Sequence, residues 1–251
     1  MIVHIITRLA MGGAQQLVYE ISDRLKSSNK DVLIISGLSD SKTSLSAHDN
    51  KILDQVKGKK IPLEIIPYLS DKISLLNDIK ALAKIIKILK KYNPSIIHIH
   101  SSKTGILARL ACWLLKIKKV IYHVHGWSFS KPKWFAHKLF LWLERTFYYF
   151  TKQYIFVCNK DMIDFIDHGG NPKIISKSKI IYPGANYLKL DEQKKYRNEL
   201  RNNLGIKENE HIIGTVARMD FQKNPKLFVN IIRDYSQFDN NAKFLWIGKG
   251  S

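Results

Sequence analysis

The most informative segments of the sequence are GTVARMDFQKNPKLF (residues 214–228) and KFLWIGKGS (residues 243–251). Ile212–Val216 is a short apolar run typical of a strand, Phe228–Ile232 has helical character, and Lys243–Ile247 predicts a second strand before the glycine-rich turn. Strand, cationic loop, helix, strand and glycine-rich turn is the order in which a nucleotide-binding βαβ unit begins. We therefore predict one whole α/β domain followed by the opening of another.

Apolar strand-like runs alternate with helix-like segments along the preceding sequence. The predicted strands are Ile2–Thr7, Val32–Ser36, Leu63–Pro67, Ile96–His100, Val120–Val124, Tyr154–Val157 and Ile180–Tyr182. The predicted helices are Ala14–Lys26, Asp78–Tyr92, Thr104–Leu115, Trp134–Phe150 and Lys160–Asp167. Such alternation predicts parallel strands with right-handed crossovers in a three-layer domain. We assign residues 1–183 to it, residues 184–210 to a linker with a helix, and residues 211–251 to the second domain.

Composition narrows the class of protein. The two cysteines, Cys112 and Cys158, lie far apart and form no CxxC pair, so neither a disulfide framework nor a zinc motif is indicated. No apolar run approaches the ~18 residues of a membrane-spanning helix. The amino terminus has no basic segment before its apolar part, and it predicts a strand rather than a signal peptide. A cytoplasmic protein is expected.

The net charge of +20 is the unusual feature of the composition. Only 8 of the 41 basic residues are arginine, whereas sequence-specific nucleic-acid readers depend on arginine for bidentate base contacts. The charge is compatible with compositional background or with attraction to an anionic membrane or a phosphate-bearing substrate. Nucleic acid is the disfavoured partner. The segment 131–152 mixes lysines with many aromatic residues, which predicts either a core helix with a basic rim or peripheral membrane contact.

Polar and glycine-containing turns follow three predicted strands at the edge where parallel α/β sheets bind ligands. Gly12 and Gly13 follow the first strand, and we expect them to allow positive φ and close backbone approach to an anion. Residues 101–105 follow the Ile96–His100 strand, and His125 follows Val120–Val124. For the loop with Gly12 and Gly13, a plain turn explains the sequence as well as an anion site does.

Several histidines raise the question of a metal site. His98 and His100 alternate onto one face of their strand, and His123 and His125 onto one face of theirs. No acidic ligand is in register with them, and we predict no metal. Only His125, at the carboxyl end of its strand, is expected to reach a ligand, and the other three are expected to be buried structural residues.

These motifs together resemble the retaining glycosyltransferases of family 4, which have the GT-B fold of two Rossmann-like domains. The similar pieces, in order, are IVHIITRLAMGGAQ, HIHSSKTGILARLA, HVHGW, FVCNKD, IIYPGAN and GTVARMDFQKNP. The resemblance implies a complete amino-terminal Rossmann-like domain and the first βαβ of a second. HSSKTGILARLA with HGWSF is particularly similar to bacterial enzymes that build capsule, exopolysaccharide or O-antigen units on a lipid carrier.

The resemblance also implies roles for individual residues. Arg218 and Lys223 match the family's basic pair that holds the donor diphosphate, where two cations stabilise charge on the leaving group. His125 matches the histidine at the reacting sugar. The glycines that match donor-site turns are Gly12, Gly13, Gly248 and Gly250. The family's Glu-x7-Glu element does not occur in this sequence, so we expect these 251 residues alone to be inactive.

The implied activity is transfer of a hexose or N-acetylhexosamine from a nucleotide sugar, most simply UDP-linked, to a lipid-linked saccharide with retention of configuration. No cofactor or metal is implied, and the cytoplasmic face of an anionic membrane is the implied location. Two alternatives stay open. One is a truncated, non-catalytic paralogue that binds acceptor or a partner protein. The other is a basic nucleic-acid-binding α/β protein.

Overall fold

The computed structural model describes residues 1–38, 51–127, 134–184 and 187–248. The chain divides into two compact units, Met1–Gly184 and Ala185–Ser251, which are described separately. The loop predicted at residues 39–50 and the predicted turn residue Gly250 lie outside the described residues.

The first unit is built on seven parallel strands in the order β3-β2-β1-β4-β5-β6-β7. Their bounds are β1 Ile2–Arg8, β2 Val32–Gly37, β3 Leu63–Ile66, β4 Ile96–His100, β5 Val120–Val124, β6 Gln153–Phe156 and β7 Ser178–Ile180. The order reverses between β1 and β4, which is where a doubly wound sheet opens a crevice at its carboxyl edge. The predicted α/β class is confirmed.

In the described part of the first unit, six α-helices pack on this sheet. They are α1 Gly13–Ser27, α2 Lys51–Gly58, α3 Leu75–Tyr92, α4 Ser102–Leu114, α5 Trp134–Phe147 and α6 Asn159–Asp167. Alternate residues of β1 point to opposite faces. Ile5 packs in the core shared with α3, α4 and α6, whereas Ile6 packs in a smaller core with Val18 of α1 and Val56 of α2. The result is the predicted three-layer arrangement.

Local details differ from the sequence expectations where tertiary contacts decide them. Helix α2 was not predicted, although Ile52 and Val56 have helical spacing and both are buried. Strand β7 begins two residues before the predicted strand and pairs with β6. Helix α3 begins three residues before the predicted Asp78, at Leu75, and its buried face contains Ile85, whereas Ile79 is 56% exposed.

The second unit contains a helix and a parallel βαβ unit. Its elements are α7 Leu190–Asn203, β8 His211–Val216, α8 Pro225–Tyr235 and β9 Ala242–Ile247. Strands β8 and β9 pair in parallel register. Phe228 of α8 contacts Trp246 of β9, with ring centroids 5.4 Å apart. The predicted strand, helix, strand sequence is confirmed, and the helix is longer than predicted because Asn224 caps it and Pro225 occupies its first turn.

Candidate functional site

The β1–α1 turn lies at the carboxyl edge of the sheet, as predicted, but its glycines do not adopt positive φ. Gly12 is extended, with φ of 168°, and Gly13 is the first residue of α1. A Cβ on Gly12 would meet only the end of the Gln15 side chain, and one on Gly13 would meet nothing within 4 Å. The prediction of positive φ is therefore wrong. Gly12 occupies the cap position of α1 and has no side chain that could accept a hydrogen bond. The first backbone N–H groups of α1 are therefore not bound by a capping side chain.

The start of α4 lies beside this turn. The hydroxyls of Thr7 on β1 and Thr104 on α4 are 2.7 Å apart and buried. A Cβ on Gly105 would lie 2.8 Å from the ring of Tyr122, so glycine allows α4 to pack closely on β5. Lys103 is already engaged, because its Nζ is 2.6 Å from the Asp78 carboxylate. This turn supplies packing and hydrogen bonds rather than a free cation.

His125 follows β5 in a turn whose geometry depends on its neighbours. Gly126 has φ of 112°, a conformation that side chains rarely adopt. Trp127 is buried, stacks on Phe165 at 5.2 Å and donates its indole N–H to the Asp161 carbonyl. The turn is thus anchored to α6, and it holds the partly buried His125 ring at the carboxyl edge of the sheet.

His125 belongs to a cluster of five histidines on one face of the sheet, formed by His4, His98, His100, His123 and His125. Strand register sets the cluster, since His4 lies opposite His98 and His100 opposite His123. His4 Nδ1 is 3.2 Å from His100 Nε2, and His100 Nδ1 is 3.1 Å from His125 Nε2. The expected burial of His98, His100 and His123 is confirmed. His4 was missed, although IVHII places it in the same alternation.

Burial keeps these imidazoles neutral. Desolvation lowers the pKa of His125 to about 4 and, with His125 and His98 nearby, lowers the pKa of His123 to about 3. Desolvation and the neighbouring His123 lower the pKa of His4 to about 4. Desolvation with neighbouring histidines also lowers the pKa values of His98 and His100. A positive charge on one ring would be uncompensated in this setting.

In the second unit, Arg218 and Lys223 lie in the loop between β8 and α8, and Asp220 links them. The Asp220 carboxylate is 3.1 Å from the Arg218 guanidinium and accepts a hydrogen bond from the backbone N–H of Lys223. Both cationic side chains are exposed. Asp220 was not predicted as a site residue, although its position two residues after Arg218 and three before Lys223 was the available signal.

Gly248 lies beside the same loop. Its φ is 153°, and a Cβ would lie 1.9 Å from the Ala217 carbonyl oxygen, so only glycine fits there. The backbone N–H of Ala217 donates to the Ile247 carbonyl, and the indole N–H of Trp246 donates to the Ala217 carbonyl. The predicted residues Gly248 and Arg218 are therefore brought together at the carboxyl edge of β8 and β9.

The sequence profile of Glycosyltransferase Family 4 matches residues 11–187, which is more than half of the chain. The chain belongs to this family. The matched range contains Gly12, Gly13 and His125, whereas Arg218, Lys223 and Gly248 lie beyond it.

The chain is also similar to an Escherichia coli protein, UDP-Gal:alpha-D-GlcNAc-diphosphoundecaprenol alpha-1,3-galactosyltransferase. It is 35% identical over 166 residues, which are 65% of this chain and 42% of that enzyme. The family 4 chain described here thus spans about two fifths of the length of this relative.

Solved structures establish the fold as GT-B. Anabaena HepE, determined with UDP and glucose, has a TM-score of 0.71 at 17% identity and is matched over 100% of this chain and 61% of its own. The apo form of WaaB, a lipopolysaccharide outer core galactosyltransferase, has a TM-score of 0.62 at 14% identity, over 100% of this chain and 62% of its own. Within the described ranges, no helix combines the length and apolar character needed to cross a bilayer.

Proposed function

We propose that the protein carrying this chain is a retaining glycosyltransferase. It moves a hexose or N-acetylhexosamine from a UDP-sugar to a lipid-linked saccharide during surface polysaccharide assembly, such as that of capsule or lipopolysaccharide. The observation that carries the proposal is the loop in which Asp220 presents Arg218 and Lys223 beside Gly248. Family membership and the lipid-linked substrate of the E. coli relative support it.

The loop has the chemistry that a departing nucleoside diphosphate requires. Two exposed cations at the carboxyl edge of parallel strands can offset negative charge that grows as the glycosidic bond breaks. Gly248 keeps the neighbouring backbone close and free of a side chain. Because cations supply the charge, we propose that transfer needs no divalent ion at the diphosphate and that EDTA has little effect on it.

In the first unit, His125 is proposed to lie beside the transferred sugar. The Trp127 anchor and the hydrogen bond to His100 fix its ring, and burial keeps it neutral. A neutral, fixed imidazole can accept or donate a hydrogen bond to a hexose without a proton transfer. The uncapped amino end of α1, at Gly12 and Gly13, is proposed to help bind an anionic group of donor or acceptor.

A transfer assay tests the proposal. The full-length protein is incubated with labelled UDP-galactose, UDP-glucose or a UDP-N-acetylhexosamine and with membranes that contain lipid-linked saccharides. We expect label in the lipid fraction, with and without EDTA, and little with the Arg218→Ala/Lys223→Ala variant. Full activity of that variant would remove the donor-site assignment. Acceptor binding without transfer from any of these donors would favour the non-catalytic alternative.

The 251 residues by themselves are proposed to be inactive. Their donor-side unit contributes an exposed cationic loop and, among the described residues, no buried apolar side chain. Membranes from cells that express only this chain should therefore incorporate no label above those of an empty-vector strain. Clear incorporation would contradict this.

A surface on the first unit supports contact with the anionic cytoplasmic face of a membrane. It lies at the amino ends of β5, β6 and β7 and surrounds a cavity of about 1000 Å³. Trp113 and Tyr149 are 51% and 73% exposed there. Its other main members are Leu114, Phe150, Lys116, Lys118, Lys152, Lys177 and Lys179. Aromatic rings favour the membrane interface, and lysines near it contribute roughly 1 kcal/mol each.

This basic aromatic surface overlaps only the end of the predicted segment 131–152. In the described part of that segment Leu141 and Phe147 are buried, whereas Trp142 is exposed, so α5 is in part a core helix. We expect the protein to bind vesicles with anionic lipid, less so at high salt, and not to bind DNA. Replacing Lys116, Lys118, Lys152 and Lys179 by Glu should abolish vesicle binding. Equal binding to neutral and anionic vesicles would contradict the proposal.

A further inference from the structure

The histidine cluster contains more ring nitrogens that could bind a metal ion than the proposed contact between His125 and the sugar requires. One nitrogen from each of His100, His123 and His125 lies within 4.8 Å of the others. His123 is buried, and within the described residues neither of its ring nitrogens has a hydrogen-bond partner. A buried polar atom without a partner is costly, and a bound ion would satisfy it.

We propose that His100, His123 and His125 bind one late first-row transition ion, with Zn²⁺ as the physiological candidate. Neutral imidazole nitrogen suits Zn²⁺, Ni²⁺ and Cu²⁺, whereas Mg²⁺ and Ca²⁺ require oxygen ligands. With Zn–N bonds of ~2.0–2.1 Å, tetrahedral ligands lie about 3.3 Å apart. His100 Nδ1 and His125 Nε2, which share a hydrogen bond at 3.1 Å, are close to that spacing, so an ion could replace the shared proton once the protonated ring moves its proton to its other nitrogen. A His123 nitrogen lies within 4.8 Å of both ligand atoms, so its ring must move closer for all three to coordinate one ion.

The surroundings fit a metal site in two further ways. His100 Nε2 is 3.2 Å from His4 Nδ1, so His4 can fix the orientation of a His100 ring that coordinates through Nδ1. His125 is only partly buried, so an ion can reach the cluster from this side, where water could supply the fourth ligand. This ion would be separate from the donor diphosphate, where the proposed function requires none. Where that function holds, zinc should inhibit transfer because it occupies the His125 ring.

The test uses tag-free full-length protein stripped with a chelator and titrated with Co²⁺, a spectroscopic substitute for zinc. We expect the visible spectrum of tetrahedral cobalt at one ion per chain, displacement by Zn²⁺ and no displacement by Mg²⁺. His123→Asn and His125→Asn should each weaken binding at least about 10-fold, and His4→Asn should weaken it less. The matched control, His211→Asn, changes an exposed histidine of the second unit that pairs with Asp239 and should leave binding unchanged.

Absence of a tetrahedral cobalt spectrum, or wild-type binding by both His123→Asn and His125→Asn, would overturn the proposal. If circular dichroism shows that these variants do not fold, the wild-type protein still decides the question. Zn²⁺ should then shift the imidazole ¹⁵N resonances of His100, His123 and His125 but not that of His168. Shifts confined to exposed histidines would count as a negative result. Because no nucleotide sugar is present, this outcome is independent of the proposed transfer activity.

Discussion

At the scale of single residues, Asp220 explains how two like charges are held in one short loop. Its carboxylate accepts from the Lys223 backbone and pairs with the Arg218 side chain, so the Lys223 ammonium remains available to a ligand. A carboxylate beside the proposed donor phosphate would otherwise be repulsive. We interpret it as the group that aims Arg218 and starts the turn before α8.

Removing either cation should reduce turnover of the full-length protein. Loss of a preorganised electrostatic group costs on the order of 2–4 kcal/mol of transition-state stabilisation, so Arg218→Ala and Lys223→Ala should each lower kcat/KM by about 30- to 1000-fold. Initial rates with a saturating acceptor measure this. Arg233→Ala and Lys226→Ala, which change exposed cations of α8, are the matched controls. Equal losses in those controls would mean that general charge, not this loop, matters.

The histidine cluster predicts acid sensitivity of the metal-free first unit. The folded pKa values of His4 and His123, about 4 and 3, lie below the unfolded value of about 6.5. The unfolded chain therefore binds more protons below pH 6.5, so stability is fully present above that pH and falls as the pH approaches 4. Each histidine contributes a slope of at most about 1.4 kcal/mol per pH unit.

Urea unfolding of the first unit at pH 7.5, 6 and 5 with a chelator measures this slope. His98→Gln should reduce the pH dependence, while His168→Gln, at the exposed end of α6, should leave it unchanged. A stability that does not vary across this range would contradict the burial argument.

Some features of the candidate site could be predicted from the sequence, and others could not. The positions of His125, Arg218 and Gly248 at strand ends could be predicted, because parallel strands deliver their carboxyl ends to one edge. The φ values of Gly12 and Gly13 could not, since a turn can be closed by several backbone conformations. The five-histidine cluster required the register between β1, β4 and β5, which no local pattern contains.

At the scale of elements, a buried ion pair joins α4 to α5. The Arg109 guanidinium is 2.8 Å from both carboxylate oxygens of Glu144 and lies over the Tyr122 ring at 4.1 Å. Arg109 is fully buried, and its Nε also donates to the Gly105 carbonyl. The pair fixes one arrangement of the two helices against β5.

Removing one member of this ion pair should destabilise the fold more than replacing both members by apolar residues. Glu144→Leu alone leaves an uncompensated buried charge and should lower the free energy of unfolding by about 3–5 kcal/mol. Arg109→Met/Glu144→Leu removes both charges, so it should cost less than either single change. Urea titrations of the four proteins form the double-mutant cycle. Additive losses would show that the two side chains do not stabilise the fold as a pair.

Helices and strands could be predicted where apolar residues recur regularly over a long segment. Which face of a helix is buried was harder to predict, because it depends on the elements that pack against it. The helix from Asp78 to Tyr92 was recognised, but its buried residues include Ala81 and Ile85 because α4 and the sheet pack on that side. The buried residues of the short helix α2 are Ile52 and Val56. Two apolar residues at helical spacing are too few to distinguish a helix from a loop in the sequence. Helix α6 begins one residue earlier than predicted, at Asn159, and Cys158 occupies its cap position.

At the scale of the whole molecule, the two units differ in how much apolar surface they bury. The first unit has two clusters of buried aliphatic and aromatic side chains on opposite faces of its sheet. Among the described residues of the second unit, only Arg201 is buried. The apolar side chains of Val216, Phe221 and Phe238 are exposed. Since apolar burial is the main favourable term in folding, the second unit should be much less stable within this chain.

Hydrogen exchange on the 251-residue chain should therefore resolve two levels of protection. Amides of β8 and β9 should exchange at least about 100-fold faster than those of β1 and β4, because fewer buried contacts oppose local opening. Residues 1–184 expressed alone should unfold at the same temperature as the major transition of the whole chain. A single cooperative transition, with equal protection in both sheets and a lower melting temperature for residues 1–184 alone, would show that the second unit stabilises the first.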